Sequence, residues 1–335
     1  MVGLGHMGSM HVRVLSQLAG VDIVAAVDPV PERRNMLGAS HPQIEMHATL
    51  GAALTRTEQL DFVVIATPTA SLPKLGHEVL AAGLPLLVEK PLAADEDEGL
   101  ALVEEAERRG LLLGVGHVER CNPAVIALKR HLDAGSLGRI YQMHARRLSP
   151  SPDRDSMNGV SLDLATHDID VMRYLTGSEI ERVYAESAQR LNDHAEDLLV
   201  ATLRFVDGTT GLLEVNWLTP TKIRELSVTG EGGTFVVNYL TQELSHFSHP
   251  TEQTTWDALQ NMRGTGEGDM IRYALRRSEP LRVEWESFLA VLNGGDAPLA
   301  RGRDGLAAMS AALAIQRSGA SHTATAPNHI GTSLR

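Results

Sequence analysis

Short apolar runs alternate with amphipathic stretches through the first third of the chain. Val21 to Val27, Phe62 to Ala66, Leu86 to Val88 and Leu111 to Val115 have strand length, are rich in aliphatic residues and end at turn-forming or polar positions. Between them, Gly8 to Ala19, Leu72 to Ala82 and Asp95 to Arg109 repeat apolar residues at helical spacing, the last two stopped by Gly83 and Gly110. Strands that alternate with helices predict right-handed crossovers and a doubly wound parallel α/β sheet, whose ligands collect beyond the carboxyl ends of the strands. After a helix over Pro123 to Asp133 the pattern changes. Ile140 to Leu148, Arg182 to Leu191, Leu198 to Phe205, Thr210 to Trp217, Ile223 to Thr229 and Phe235 to Leu240 read as longer strands. They are joined by Asp207-Gly208 and Gly230-Glu231-Gly232-Gly233, which predicts hairpins and an α+β domain with a large, mostly antiparallel open sheet. Val283 to Leu292 and Gly302 to Gln316 read as amphipathic helices that pack back on the first domain, and Thr323 to Arg335 as a loose tail. The expected division is residues 1–118, 119–322 and a tail of 323–335. A broad open sheet face commonly serves as a subunit interface, so a homo-oligomer, dimer or tetramer, is expected.

The chain opens on Gly3-Leu4-Gly5-His6-Met7-Gly8, a G-x-G-x-x-G fingerprint, with Asp28 at the end of the next apolar run. In such a turn Gly3 allows the tight bend, Gly5 lets the backbone approach a pyrophosphate, and Gly8 lets the following helix pack closely. The helix presents unpaired N–H groups and a positive dipole end to the phosphates, while Asp28 accepts bonds from ribose hydroxyls. This points to a Rossmann domain that binds a nicotinamide or flavin dinucleotide. Asp28 would repel a 2′-phosphate, favouring NAD over NADP; Arg33, on the next helix, either softens that preference or is simply solvated. Only Met1 and Val2 precede Gly3, so the strand that should carry the fingerprint is expected to be truncated, either because the start codon is internal to the natural gene or because the sheet tolerates a central gap. The first is favoured, since each lost buried aliphatic side chain costs about 1.5 to 3 kcal/mol.

Composition narrows the class. A length of 335 residues with 43% hydrophobic content suits about two cored domains. A formal charge of −12 repels polyanions, so a nucleic-acid role is not expected, and an anionic ligand must be held by local dipoles and a few placed cations. No apolar run reaches membrane-spanning length, no basic and apolar leader precedes the fingerprint, and the single Cys121 precludes an internal disulfide; a cytoplasmic protein is expected. His246 and His249 lack spaced Cys or carboxylate partners, so no metal site is expected.

Two places carry chemistry. Lys90 follows a buried strand and precedes Pro91, which places an ammonium at a strand's carboxyl end, either to hydrogen-bond a substrate hydroxyl or as a surface lysine in a turn. Ser161 to Leu175, stopped by Thr176-Gly177, reads as one helix. On it Asp163 and His167 share a face, extended by Asp170 and Tyr174, opposite an apolar stripe of Leu162, Ala165, Ile169 and Met172. A carboxylate bonded to one imidazole nitrogen fixes the tautomer and leaves the other nitrogen to take a proton; the bland alternative is a surface Asp/His pair.

Gly3 to Gly8, Asp28, Thr67-Pro68, Glu89-Lys90-Pro91 and the run Asp163-x-x-x-His167-x-x-Asp170 together resemble the glucose–fructose oxidoreductase, inositol dehydrogenase and rhizopine catabolism (Gfo/Idh/MocA) family over nearly the whole chain. The resemblance implies NAD(P)-dependent oxidation or reduction at a secondary alcohol of a sugar or cyclitol, with Lys90, Asp163 and His167 as the matching catalytic positions. Gly116-His117-Val118-Glu119-Arg120-Cys121-Asn122-Pro123 and Glu267-Gly268-Asp269-Met270-Ile271-Arg272-Tyr273 are similar to UDP-N-acetylglucosamine 3-dehydrogenases within it, which suggests a nucleotide-sugar substrate oxidised at C3. Cys121 stands where that run has Phe, and Leu72 where a His often follows the T-P loop.

The cofactor-facing set is then Gly3, Gly5, His6, Met7, Gly8, Asp28, Arg33, Thr67, Pro68, Glu89, Lys90 and Asn122. The substrate-facing set is Lys90, His117, Arg120, Arg146, Asp163 and His167. Glu89 orients the nicotinamide ribose or Lys90, or forms a structural ion pair; His117 touches nicotinamide or substrate, or merely packs. Arg120, Arg146, Arg147 and Arg154 are anchors for a diphosphate or solvated cations. In the implied mechanism His167 takes the hydroxyl proton as hydride leaves, Lys90 steadies the alkoxide and Asp163 orients His167. An inositol or free-sugar dehydrogenase is the alternative within the class, and a dinucleotide-sensing regulator without turnover the alternative outside it.

Overall fold

A computed structural model of the chain describes residues 1–55, 60–152, 158–191, 193–250 and 268–328. In chain order the helices and strands of the first third are α1 (His6–Leu15), β1 (Ala25–Val27), α2 (Pro31–Ser40), β2 (Glu45–His47), α3 (Leu50–Leu54), β3 (Val63–Ile65), α4 (Leu72–Ala81), β4 (Leu86–Val88), α5 (Glu96–Arg109) and β5 (Leu113–Val115). There follow α6 (Pro123–Asp133), β6 (Ile140–Leu148), a π-helical turn (Ser161–Ala165), α7 (Thr166–Thr176), β7 (Ile180–Ala188), β8 (Leu198–Phe205), β9 (Thr210–Asn216), β10 (Ile223–Gly230), β11 (Gly233–Asn238), β12 (Glu243–Phe247), β13 (Met270–Arg272), α8 (Pro280–Leu292) and α9 (Gly302–Ser321). Two compact units result: Met1–Cys121 with Glu279–Ser310, and Asn122–Ser278 with Ala311–Arg335.

The first unit is a parallel sheet. β1 pairs with β2, and β3, β4 and β5 pair in that order. Val2 joins the two pieces through parallel bridges to Val27 and Ile65, with Val2 N–H donating to the Val64 carbonyl at 2.7 Å and Ala66 N–H to that of Val2 at 2.8 Å. Val2, which is buried, thus stands in the middle of the sheet. At the amino-terminal edge of the sheet, beneath Met1, a small cleft of about 80 Å³ opens among Leu15, Val21, Ile23, Leu50, Phe62 and Val64; it lies away from the strands' carboxyl ends. Val21 to Val24, expected in strand, precede β1 along this cleft. The helix after Gly5 stops at Leu15 rather than Ala19.

Helix capping follows the sequence. Asp95 accepts from the N–H groups of Asp97 and Glu98 at the start of α5, and Gly110, at φ 66°, ends it. α8 belongs to the first unit because Trp285 and Phe288, both fully buried, join Leu15, Val64, Leu87 and Leu299 in its core. Burying two such aromatic side chains contributes about 3 to 6 kcal/mol and holds a segment that arrives after the whole of the second sheet.

The second unit is an eight-stranded sheet ordered β13-β12-β11-β10-β6-β9-β8-β7, antiparallel except where β6 meets β9. Met143, Ala145 and Arg147 alternate to its covered side and are buried, while α6 packs on β11 and β12, and α7 on β6. β12 and β13 were not expected from the sequence. The predicted tail is tied at Thr325, which exchanges two backbone hydrogen bonds with Val183 (2.7 and 2.9 Å); residues 329–335 lie outside the described residues.

The expected single helix over Ser161 to Leu175 is instead the π-helical turn followed by α7. The cause lies in the side chains around the turn. Glu196 accepts from both the N–H (3.2 Å) and the hydroxyl of Ser161, and the Thr166 hydroxyl donates to the Leu162 carbonyl at 2.9 Å, which widens the ladder. The Glu196 carboxylate lies over Gly159, where an added Cβ would sit 2.1 Å from it and displace it. The predicted apolar stripe of Leu162, Ala165, Ile169 and Met172 is buried.

Candidate active site

Lateral hydrogen bonds along the carboxyl edge of the first sheet fix the order of its loops. Gly3 N–H donates to Val27 O (2.8 Å), Ala66 N–H to Val2 O (2.8 Å), Glu89 N–H to Ile65 O (2.9 Å) and Gly116 N–H to Val88 O (2.8 Å). Asp28, Gly3, Thr67, Glu89-Lys90 and His117 therefore stand in one row, as the strand-end argument required.

The fingerprint works as its residues predict. Gly3 has φ 88°, and a Cβ there would meet the Ala66 carbonyl oxygen at 2.4 Å; one on Gly8 would meet the Gly3 carbonyl oxygen at 2.0 Å. Gly5 has open space above it. It begins α1, which has no side-chain cap and no acidic residue in its first turn, so the helix dipole faces that space unneutralised. His6 is exposed and Met7 half-buried beside it.

Asp28 is buried, one oxygen accepting from Leu4 N–H at 2.8 Å and the other from Val30 N–H at 2.9 Å. It thus holds the fingerprint turn to the end of β1, and Oδ1, which accepts from Val30, keeps a lone pair for a hydroxyl. Arg33 reaches the same carboxylate at 3.4 Å, and Arg34 donates to the Asp28 carbonyl at 2.6 Å. The Thr67 hydroxyl is buried with no hydrogen-bond partner, beside Gly3; Pro68 is exposed next to it.

Glu89 is buried and Lys90 half-buried. One Glu89 oxygen bonds His11 Nε2 at 2.8 Å, and the other accepts from Lys90's own N–H at 3.3 Å. His11 is in turn held through Nδ1 by the Trp285 indole at 3.1 Å. Neither His11 nor Trp285 was singled out from sequence. His11 carries one signal: with Gly8, Val12 and Leu15 it lies on the buried face of α1, a polar residue in an apolar stripe.

In the second unit Asp163 and His167 are half-buried and straddle the junction of the π-helical turn with α7; Asp170 is buried and Tyr174 half-buried. The cations proposed as diphosphate anchors already face carboxylates. Arg120 pairs with Asp304 (3.1 Å) and is buried. Arg146 bridges Glu214 (3.0 Å) and Glu225 (3.6 Å) across neighbouring strands. Arg147 grips Asp168 with two bonds of 2.6 and 3.1 Å under the Tyr239 ring. Arg154 and Glu267 lie outside the described residues. Asn122 caps α6, accepting from Ala124 N–H and donating to the Tyr239 carbonyl, both at 3.1 Å, and His117 is buried. Among the described residues no group of His, Cys, Asp and Glu is arranged to hold a metal, and no helix is long and apolar enough to cross a membrane.

An open glycine, an uncapped helix, a buried carboxylate at the ribose position and an orphaned hydroxyl are the features a nicotinamide dinucleotide needs, and they define the chain as a dinucleotide-dependent oxidoreductase. Residues 1–117 match the family described as "Oxidoreductase family, NAD-binding Rossmann fold", and residues 125–236 match the GFO/IDH/MocA C-terminal domain. The chain belongs to this GFO/IDH/MocA oxidoreductase family, and its cofactor is NAD. It is 32% identical to the myo-inositol dehydrogenase Hyg17 of Streptomyces leeuwenhoekii over 96% of both chains. It is 27% identical to the UDP-N-acetylglucosamine 3-dehydrogenase of Acidithiobacillus ferrooxidans over 94% of this chain and 95% of that one. A solved structure of the latter, GnnA, superposes with a TM-score of 0.81 at 25% identity, covering 95% of each chain. The fold is also that of the WlbA dehydrogenase from Bordetella pertussis in complex with NADH and UDP-GlcNAcA (TM-score 0.79, 24% identity, 97% of each chain).

Proposed function

We propose that this chain is an NAD-dependent dehydrogenase of a secondary hydroxyl on a sugar, with a nucleotide sugar such as UDP-N-acetylglucosamine, oxidised at C3, as the substrate. The observation that carries the dehydrogenase reading is the shared row of strand ends: Lys90 follows the strand next to the one bearing the orphaned Thr67 hydroxyl, beside the fingerprint turn. The nucleotide-sugar refinement is supported by the runs Gly116 to Pro123 and Glu267 to Tyr273 and by the similarity to GnnA.

NAD, when bound, supplies the hydride acceptor. Gly5 and the first turn of α1 receive its pyrophosphate, Asp28 its adenosine ribose, and Thr67 donates a hydrogen bond to it. In this reading Lys90 donates to the reacting hydroxyl oxygen, His167 takes the hydroxyl proton, and Asp163 holds the imidazole in the tautomer that can accept it. Arg33 sits on Asp28 and does not reverse the preference for NAD over NADP.

An uncharged cyclitol is the second reading, favoured by the carboxylates that already face Arg120, Arg146 and Arg147. Absorbance at 340 nm with NAD and each of UDP-N-acetylglucosamine, myo-inositol and free hexoses separates them. Turnover with the nucleotide sugar alone is expected. Turnover with inositol alone transfers the chain to the second reading, and none with any alcohol revives a non-catalytic dinucleotide sensor. We further propose a homo-oligomer assembled through the open face of the eight-stranded sheet, expected as a dimer or tetramer in light scattering.

A further inference from the structure

We propose that Trp285, His11 and Glu89 form a buried positioning relay that sets the pose of Lys90, and with it the rate of hydride transfer. The inference rests on the dehydrogenase reading above. Its chemistry follows from what each group can donate. An indole N–H is a donor only, so at 3.1 Å from the Trp285 nitrogen, His11 Nδ1 must be the acceptor. The imidazole proton is then on Nε2, which donates to Glu89 Oε1 at 2.8 Å. Glu89 Oε2 is left facing the backbone N–H of Lys90 at 3.3 Å. No rotation of the imidazole preserves both bonds, so Trp285 fixes the tautomer and the tautomer fixes the carboxylate.

Three further facts bear on this. His11 and Trp285 are fully buried and Glu89 nearly so, and the two rings meet edge to face with centroids 5.5 Å apart. The carboxylate packs closely on Gly116, where a Cβ would sit 3.1 Å from it and press on it by a few tenths of an ångström. His11 also lies on the same helix whose amino terminus faces the pyrophosphate position, one turn past Gly8. The relay thus registers the phosphate-facing helix against the Glu89-Lys90 loop. Buried polar chains of this kind are often no more stable than apolar replacements, so a role in geometry accounts for them better than one in stability.

The test uses the full-length protein and the variants Trp285→Phe, His11→Gln and His11→Ala. Gln places an amide donor near the former Nε2 and retains the bond to Glu89; Ala removes it. His11→Ala is expected to lose about 10- to 100-fold in kcat, the range for a sub-ångström misplacement of a reacting group, while the NAD Kd measured by calorimetry stays within about threefold. His11→Gln should regain most of that rate, and Trp285→Phe should fall between the two. In 15N-histidine spectra, assigned by the signal missing from His11→Gln, the wild type should show protonated Nε2 and unprotonated Nδ1, and Trp285→Phe should lose that purity. Wild-type kcat in all three variants, no rescue by Gln, or a wild-type Nδ1–H tautomer would overturn the relay. If the wild type oxidises no alcohol, the dehydrogenase reading fails, while the spectra still decide whether the hydrogen-bond chain exists.

Discussion

Thr67→Val should make the protein more stable without cofactor and bind NAD more weakly, a pair of opposite effects that few other roles for this residue produce. The Thr67 hydroxyl oxygen is buried and has no partner in the protein. Leaving a buried donor unsatisfied costs about 1–3 kcal/mol, and valine has nearly the same shape without the hydroxyl, so urea unfolding of the variant should show a gain of about 1 kcal/mol or more. If the hydroxyl exists to meet NAD, its loss removes one hydrogen bond, about 0.5–1.5 kcal/mol, and calorimetry should show the Kd rising up to roughly tenfold. The two measurements can be joined in one titration. At an NAD concentration 100 times the wild-type Kd, the ligand adds about 2.7 kcal/mol to wild-type stability, and only about 1.4 kcal/mol to a variant that binds tenfold more weakly. A variant that is less stable without NAD and binds it unchanged would refute the reasoning, because the hydroxyl would then have a structural partner and no role toward the cofactor.

Other expectations follow from the same geometry. Gly8→Ala places a Cβ 2.0 Å from the Gly3 carbonyl oxygen, so it should abolish detectable NAD binding by calorimetry, whereas Gly51→Ala, which has open space around it, should bind normally. Arg147→Ala strands the buried Asp168 carboxylate and should cost about 3–5 kcal/mol in denaturant unfolding, with the midpoint recovered in part by Asp168→Asn added to it. In the chain that starts at Met1, burial pushes the terminal ammonium down to about 5 from 8.0. The folded state then holds this amine neutral at pH 7 while the unfolded state binds a proton. Stability therefore rises between pH 5 and pH 8 by up to about 4 kcal/mol and falls as pH drops through that window, an effect that terminal acetylation should remove from the unfolding curve.

Much of the first unit was legible because its signals are local. Three glycines, an acid at the end of the next strand, and glycine-terminated amphipathic stretches each report on a few neighbouring residues, and Gly83 and Gly110 follow the ends of their helices as read. The long strands Ile140–Leu148 and Leu198–Phe205 were readable to the residue, since half-buried antiparallel strands alternate plainly. What escaped the sequence was long-range. β2, β12 and β13 are short edge or near-edge strands with little alternation, defined by what they pair with. The π-helical turn depends on Glu196, more than thirty positions beyond Ser161, and nothing in the Ser161–Leu175 pattern announces it. Trp285 meets His11 across 274 positions, so the hydrogen-bond chain behind Glu89 could be seen only in the fold. The arginines failed differently. Their charge was visible, but the carboxylates facing them, Asp304, Glu214 and Asp168, lie on other elements.

The most direct measurement is isotope transfer. With UDP-N-acetylglucosamine carrying deuterium at C3 and unlabelled NAD, the account predicts NADH deuterated at C4 of the nicotinamide. The rate of that transfer should fall about 100- to 10,000-fold in His167→Ala, while the NAD Kd stays near the wild-type value. NADH that forms without the label would contradict the proposed site of oxidation. An undiminished rate in His167→Ala would remove the imidazole from the chemistry.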